Sequence, residues 1–123
     1  MKRDIAERSD IELLVNSFYE KVLADESLKP FFAEAVKRDW QHHLNIMYDF
    51  WDNAIFFSGK YMGNPIMVHD KIHAHLPFQH QHFERWVRLF LSTVDHLFSG
   101  SNAELAKQRA MSIATVMQVK IFK

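Results

Sequence analysis

Residues 68–86 read VHDKIHAHLPFQHQHFERW. The segment opens with a short helix-like stretch carrying His69 and His73, breaks at Leu76-Pro77-Phe78, and resumes at His82-Phe83 as an amphipathic run that holds Trp86. A proline cannot continue a helix, and the residue before it is pushed out of the helical region, so the two runs are separate elements joined at a corner. With a histidine near the end of one short helix and a tryptophan in the next, a small helical protein can grip a flat metal cofactor.

The same helical grammar extends in both directions. Toward the N-terminus, Ile11, Leu14, Val15, Phe18, Val22 and Leu23 recur at spacings of three and four. Ser9 followed by Glu12 has the form of a capping box, so a helix is expected over about 10–24. Asp25-Glu26-Ser27 ends it, and Leu28-Lys29-Pro30-Phe31-Phe32 forms an apolar corner. A second long helix is expected over about 38–57, with Trp40, Leu44, Met47, Trp51 and Ile55 on one stripe and His43, Phe50, Ala54 and Phe57 beside it. Gly59 and Met62-Gly63-Asn64-Pro65 mark a loop, with Pro65 suited to start a short helix through His73. A third long helix, about 80–98, carries Phe83, Trp86, Val87, Phe90, Leu91, Val94, Leu97 and Phe98 and stops at Ser99-Gly100. The fourth opens on a second capping-box pattern, Ser101 with Glu104, and carries Leu105, Ile113, Val116, Met117 and Ile121 as its large apolar residues. The fold class is therefore all-α.

Composition narrows the chemistry. A chain of 123 residues suits one domain spanning 1–123, and 15 basic against 15 acidic residues give no field that would draw it to nucleic acid or to an anionic membrane. Cysteine is absent, which excludes disulfides, thiolate catalysis and cysteine-ligated zinc or iron–sulfur centres. Eight histidines, eleven phenylalanines, three tryptophans and six methionines stand beside only three glycines and three prolines. So little punctuation favours long helices, and any metal would have to be held by histidine, carboxylate or tyrosine. The first residues, MKRDIAERSDIELL, lack an apolar run, so neither a signal peptide nor a membrane span is expected and a cytoplasmic location is the default.

Phe18-Tyr19-Glu20-Lys21-Val22, Pro30-Phe31-Phe32, Trp40-Gln41-His42-His43, Phe50-Trp51, Tyr61-Met62-Gly63-Asn64-Pro65, His82-Phe83-Glu84-Arg85-Trp86 and Arg109-Ala110 with Ile113-Ala114 follow one another in an order and spacing that resembles the truncated haemoglobins, most closely their third group. No single one of these tetrapeptides is specific, but the series covers almost the whole chain. The resemblance implies a shortened globin fold, two pairs of antiparallel helices (2-over-2) around haem b. It implies Tyr19 and Trp86 as distal hydrogen-bond donors, His43 at the distal histidine position, Met47 and Phe50 on the ligand-side helix, and Phe32 against the haem edge. For the iron ligand, counting back from Trp86 through His-x-x-Leu-Pro favours His73, whereas counting forward from the Tyr-x-Gly-x-Pro turn favours His69. The two lie one helical turn apart. His73 is preferred, because the stretch after the iron ligand must reach fixed positions in the next helix. Arg85, Lys60 and Tyr61 suit propionate contacts by charge or hydrogen bonding.

These residue types fit that chemistry. Neutral imidazole is the usual haem ligand in globins and leaves the opposite face open to a diatomic molecule. A bound oxygen molecule carries partial negative charge at its outer atom, so each phenol or indole donor stabilises it by ~1–2 kcal/mol, roughly tenfold in dissociation. Such a pocket implies slow oxygen release and, with an electron donor not identifiable from the sequence, redox chemistry of small ligands (O2, NO, CO): conversion of nitric oxide and oxygen to nitrate, or peroxide turnover, rather than storage. Without the resemblance, Tyr19, Trp86, Met47 and Phe50 read as ordinary core residues and His43 as a loosely packed histidine. His42, His75, His80 and His82 read as solvated or helix-capping. Two other classes compete: a helical metal-dependent hydrolase built on the i, i+4 pair His69 and His73, although Asp70 and Lys71 stand where the zinc-protease glutamate would follow, and a cofactor-free helical interaction module.

Overall fold

The apolar stripe of the first segment becomes helix α1, Arg8–Ala24, in which Ile11, Leu14, Val15, Phe18 and Val22 are buried. The protein is described by a computed structural model covering residues 2–59 and 79–121, the side chains of 33–38 and 120–121 excepted. Helices α2 (Lys29–Phe56), α3 (His80–Leu97) and α4 (Ser101–Ile121) complete the described elements, and no strand occurs among them.

Contacts between the helices set the topology. Arg8 near the start of α1 reaches Asp52 (3.0 Å) and Asp49 (2.8 Å) near the end of α2, Tyr48 donates to Asn16 further along, and Tyr19 meets His43 and Trp40 beyond that. Position in α2 falls as position in α1 rises, so the pair is antiparallel. The same holds for α3 and α4, where Lys107 pairs with Asp95 at 2.7 Å and His80 meets Gln118 at 2.7 Å. Phe18 joins the layers by packing edge-on against Trp86 and Phe90 of α3, and Trp51 of α2 stacks on Phe90 at 4.5 Å. The result is the two-over-two shortened globin arrangement.

Several local expectations are corrected. The α1 cap is Glu7 with Asp10, not Ser9 with Glu12: the buried Asp10 carboxylate accepts the N–H groups of Ala6 (2.9 Å) and Glu7 (3.1 Å) and pairs with Arg3. The second long helix begins earlier than about 38, because the corner at Pro30 is itself helical. Asp39, at φ −156° and ψ 86°, interrupts α2, and its carboxylate accepts the His42 N–H at 3.1 Å to restart it. Phe57, placed beside the apolar stripe, is 73% exposed in a left-handed conformation that ends α2. Gly100 does not stop α3, which leaves the helical region at Phe98; it precedes α4 at φ +145° and its carbonyl accepts the Glu104 N–H at 3.0 Å.

The buried face of α4 also differs. Ala103, Ala106, Ala110, Ala114 and Met117 lie in the core, whereas Leu105 and Ile113 are half-buried and Val116 is 45% exposed. Small side chains let two helix axes approach closely, so the packed stripe is the alanine stripe rather than that of the largest residues.

Candidate functional site

Tyr19 lies five residues before the end of α1, on the face that packs against α2. It is buried among rings: His43 edge-on at 5.3 Å, Trp40 at 5.4 Å and Phe32 at 5.7 Å. Burial pushes its phenol far up from the ordinary tyrosine value, so the hydroxyl keeps its proton and is available as a donor. His43 is half-buried one turn into the second part of α2, and its ring stacks on Trp40 at 5.1 Å with 16° between the planes.

Trp86, nearly two turns into α3, reaches this cluster through Phe18, whose ring is 5.5 Å away and perpendicular. Its indole stacks on Phe90 at 6.0 Å. The Trp86 Nε1–H is buried and has no hydrogen-bond partner among the described residues. Leaving a buried donor unmatched costs ~1–3 kcal/mol, so a polar ligand atom at that point would recover energy that the described residues do not supply. Met47 is buried and Phe50 half-buried one and two turns beyond His43 on α2, and Phe50 packs edge-on against Trp51 at 5.2 Å. The structure thus groups Tyr19, Phe32 and His43 directly, links Trp86 to them through one ring, and places Met47 and Phe50 along the His43 side of α2.

His69, His73, His75, Lys60 and Tyr61 lie outside the described residues. Arg85 holds Asp25 through its Nε at 2.5 Å, tying the end of α1 to the start of α3. Hydrogen bonds from the Ser27 hydroxyl, Arg85 and the N–H groups of Leu28 and Ser27 hold the Asp25 carboxyl down at about 2 against the opposing effect of burial. His82 caps the start of α3, one of the two roles expected of it: its Nδ1 accepts the Gln79 N–H at 2.9 Å and its ring lies 4.6 Å from Phe31. Trp40 and Phe18 join this ring cluster, although the sequence pattern marks them only as core. Their signal was helical spacing, Trp40 standing three residues before His43 and Phe18 beside Tyr19.

The model of the bacterial-like globin family matches residues 4–122. This chain belongs to that family. The globin is similar to Group 3 truncated hemoglobin ctb of Campylobacter jejuni, 29% identical over 126 residues that take in 100% of this chain and 97% of that protein. It also superposes on the crystal structure of group III truncated hemoglobin from Campylobacter jejuni with a TM-score of 0.87, again at 29% identity, covering 100% of this chain and 97% of the other. A truncated globin binds haem, and through haem a diatomic gas such as oxygen. The family match favours neither the metal hydrolase nor the cofactor-free module. The fit extends to the residues themselves, since an aromatic-walled region with a buried indole donor that has no partner among the described residues suits a haem whose ligand needs a hydrogen bond. No described helix of this globin is long and apolar enough to cross a membrane.

Proposed function

We propose that this globin holds haem b with Tyr19, Trp86 and His43 on the distal side and His73, or in its place His69, as the iron ligand, and that it turns over small reactive ligands rather than storing oxygen. The observation that carries the reading is the pairing of two buried donors: a phenol that burial keeps protonated and an indole N–H with no described partner. Haem, when bound, supplies a redox-active iron that takes O2, NO or CO.

The chain's own residues do the rest. Phe32, Met47 and Phe50 supply apolar surface for the porphyrin, worth roughly 25 cal/mol for each Å² removed from water. The Tyr19 hydroxyl and the Trp86 Nε1–H would donate to negative charge on the ligand, and inside an apolar surround each counts for more than in water. His43, beside Tyr19, adds a third polar edge. Donors held before the ligand arrives favour oxygen over carbon monoxide, whose outer atom carries less charge. Retention of oxygen defeats delivery and suits consumption of nitric oxide together with oxygen to give nitrate, or turnover of peroxide. Either requires an electron donor, which we place in the cytoplasm with the protein.

The test is the visible spectrum of the purified protein, ferric, then reduced, then exposed to carbon monoxide. A Soret band that moves on reduction and sharpens with carbon monoxide is expected. A protein that stays transparent after haem is added would refute the reading. Loss of nitric oxide with stoichiometric nitrate from the oxygenated form would separate nitric oxide chemistry from peroxide turnover.

A further inference from the structure

Two neighbouring faces of α2 are distinguishable by spacing. Residues 43, 47 and 50 share one, and residues 40, 44 and 48 share the next, turned toward α1. Trp40 belongs to the second by position, yet its ring also serves the first. It stacks on His43 at 5.1 Å and 16°, and meets Tyr19 edge-on at 5.4 Å and 90°, while Tyr19 and His43 meet at 5.3 Å and 78°. Each of the three rings touches the other two.

We propose that Trp40 is a positioning residue, whose indole fixes the plane of the His43 imidazole and, through Tyr19, the aim of both groups; this rests on the distal role of His43 and Tyr19 proposed above. The terminal torsion of a histidine is broad and roughly two-fold, so the plane of a half-buried imidazole is set by what packs against it rather than by the torsion itself. A parallel ring against its face removes that freedom, and perpendicular contact with the same indole restrains the phenol. The backbone reinforces this. Trp40 directly follows the break at Asp39, and the bond from the His42 N–H to Asp39 locks that turn, so the indole starts from a fixed point.

Trp40 is also poorly explained as core filler. It is half-buried, and it borders a pocket of about 350 Å³ shared with Asn16, Glu20, Gln41 and Tyr48. An indole open to a pocket on one side and stacked on a half-buried histidine on the other gains less from burial than one wholly enclosed by the core. Its ring contacts with Tyr19 and His43 account better for its place.

The experiment compares Trp40→Phe, which keeps a ring, with Trp40→Leu, which does not, in the haem-loaded carbon monoxide form. Three-bond NMR couplings from the His43 Hβ protons to ring Cδ2 and Nδ1, which span the Cβ–Cγ torsion, report the plane of the imidazole, and the iron–carbon monoxide stretch reports the field around the ligand. The wild type and Trp40→Phe are expected to show one rotamer and one dominant stretch. Trp40→Leu is expected to show averaged couplings, a split stretch and oxygen dissociation faster by at least twofold. Leu14→Ala, a fully buried deletion elsewhere in α1, is expected to lower the melting temperature and leave couplings and stretch unchanged. A folded Trp40→Leu protein with a single His43 rotamer and an unaltered stretch would overturn the proposal; Trp40→Met, whose flexible unbranched chain fills the gap without a ring, decides it if the leucine variant does not fold. If haem binding itself failed, the functional reading would fall, and the same couplings in the haem-free protein would still decide whether Trp40 fixes His43.

Discussion

The Asp4 carboxylate occupies the space in which a side chain on Gly100 would stand. From there it accepts the N–H groups of Asn102 at 2.9 Å and Ala103 at 2.8 Å, so α4 is capped by a residue at the other end of the chain. Burial pushes the Asp4 carboxyl up, but these bonds and the one from the Ile5 N–H outweigh it and hold the group below its ordinary value. Asp4→Ala is expected to cost ~1–2 kcal/mol as the loss of an N-cap, with Asp4→Asn losing less because it keeps an acceptor. Gly100→Ala combines a φ of +145° with that close approach and is expected to cost more than Asp4→Ala. Thermal melts check both; a Gly100→Ala protein as stable as the wild type would mean that the Asp4 cap is not formed.

Acid is expected to act in two windows. His82 caps α3 through a neutral Nδ1, and burial lowers its pKa, so the fold favours the uncharged ring. That contribution is complete above the unfolded histidine pKa of about 6.5 and is lost as pH falls below it. Asp25, held at about 2, contributes fully above the unfolded aspartate value of about 3.9 and is lost as pH falls from there toward about 2. Denaturant titrations across pH are expected to show both steps, His82→Asn removing the upper and Asp25→Asn the lower. Survival of the upper step in His82→Asn would assign it to another histidine.

For the distal donors, Tyr19→Phe is expected to speed oxygen dissociation severalfold, as loss of one hydrogen bond of ~1–2 kcal/mol implies, and to change carbon monoxide release less. Stopped-flow displacement of oxygen measures this directly. Unchanged kinetics would remove Tyr19 from the ligand's surroundings.

The iron ligand is tested by a pair of substitutions. His73→Ala is expected to abolish the five-coordinate ferrous spectrum, and His69→Ala to leave it intact. The opposite outcome would exchange the two assignments.

Much of this fold was legible in the chain because large apolar residues at helical spacing have one way to be buried. Ile11, Leu14, Val15, Phe18 and Val22 in α1, and Leu44, Met47, Trp51 and Ile55 in α2, lie where their period places them. The ordered motifs that carry Tyr19, His43 and Trp86 likewise named the family from sequence. Tertiary structure decided what periodicity does not weigh. The core face of α4 follows alanines, because close helix approach rewards small volume while hydropathy rewards large side chains. Its cap comes from Asp4, which only chain reversal brings to Asn102 and Ala103. And the contact of Tyr19 with Trp40 and His43 joins α1 to α2, a distance in sequence that only the packed fold closes.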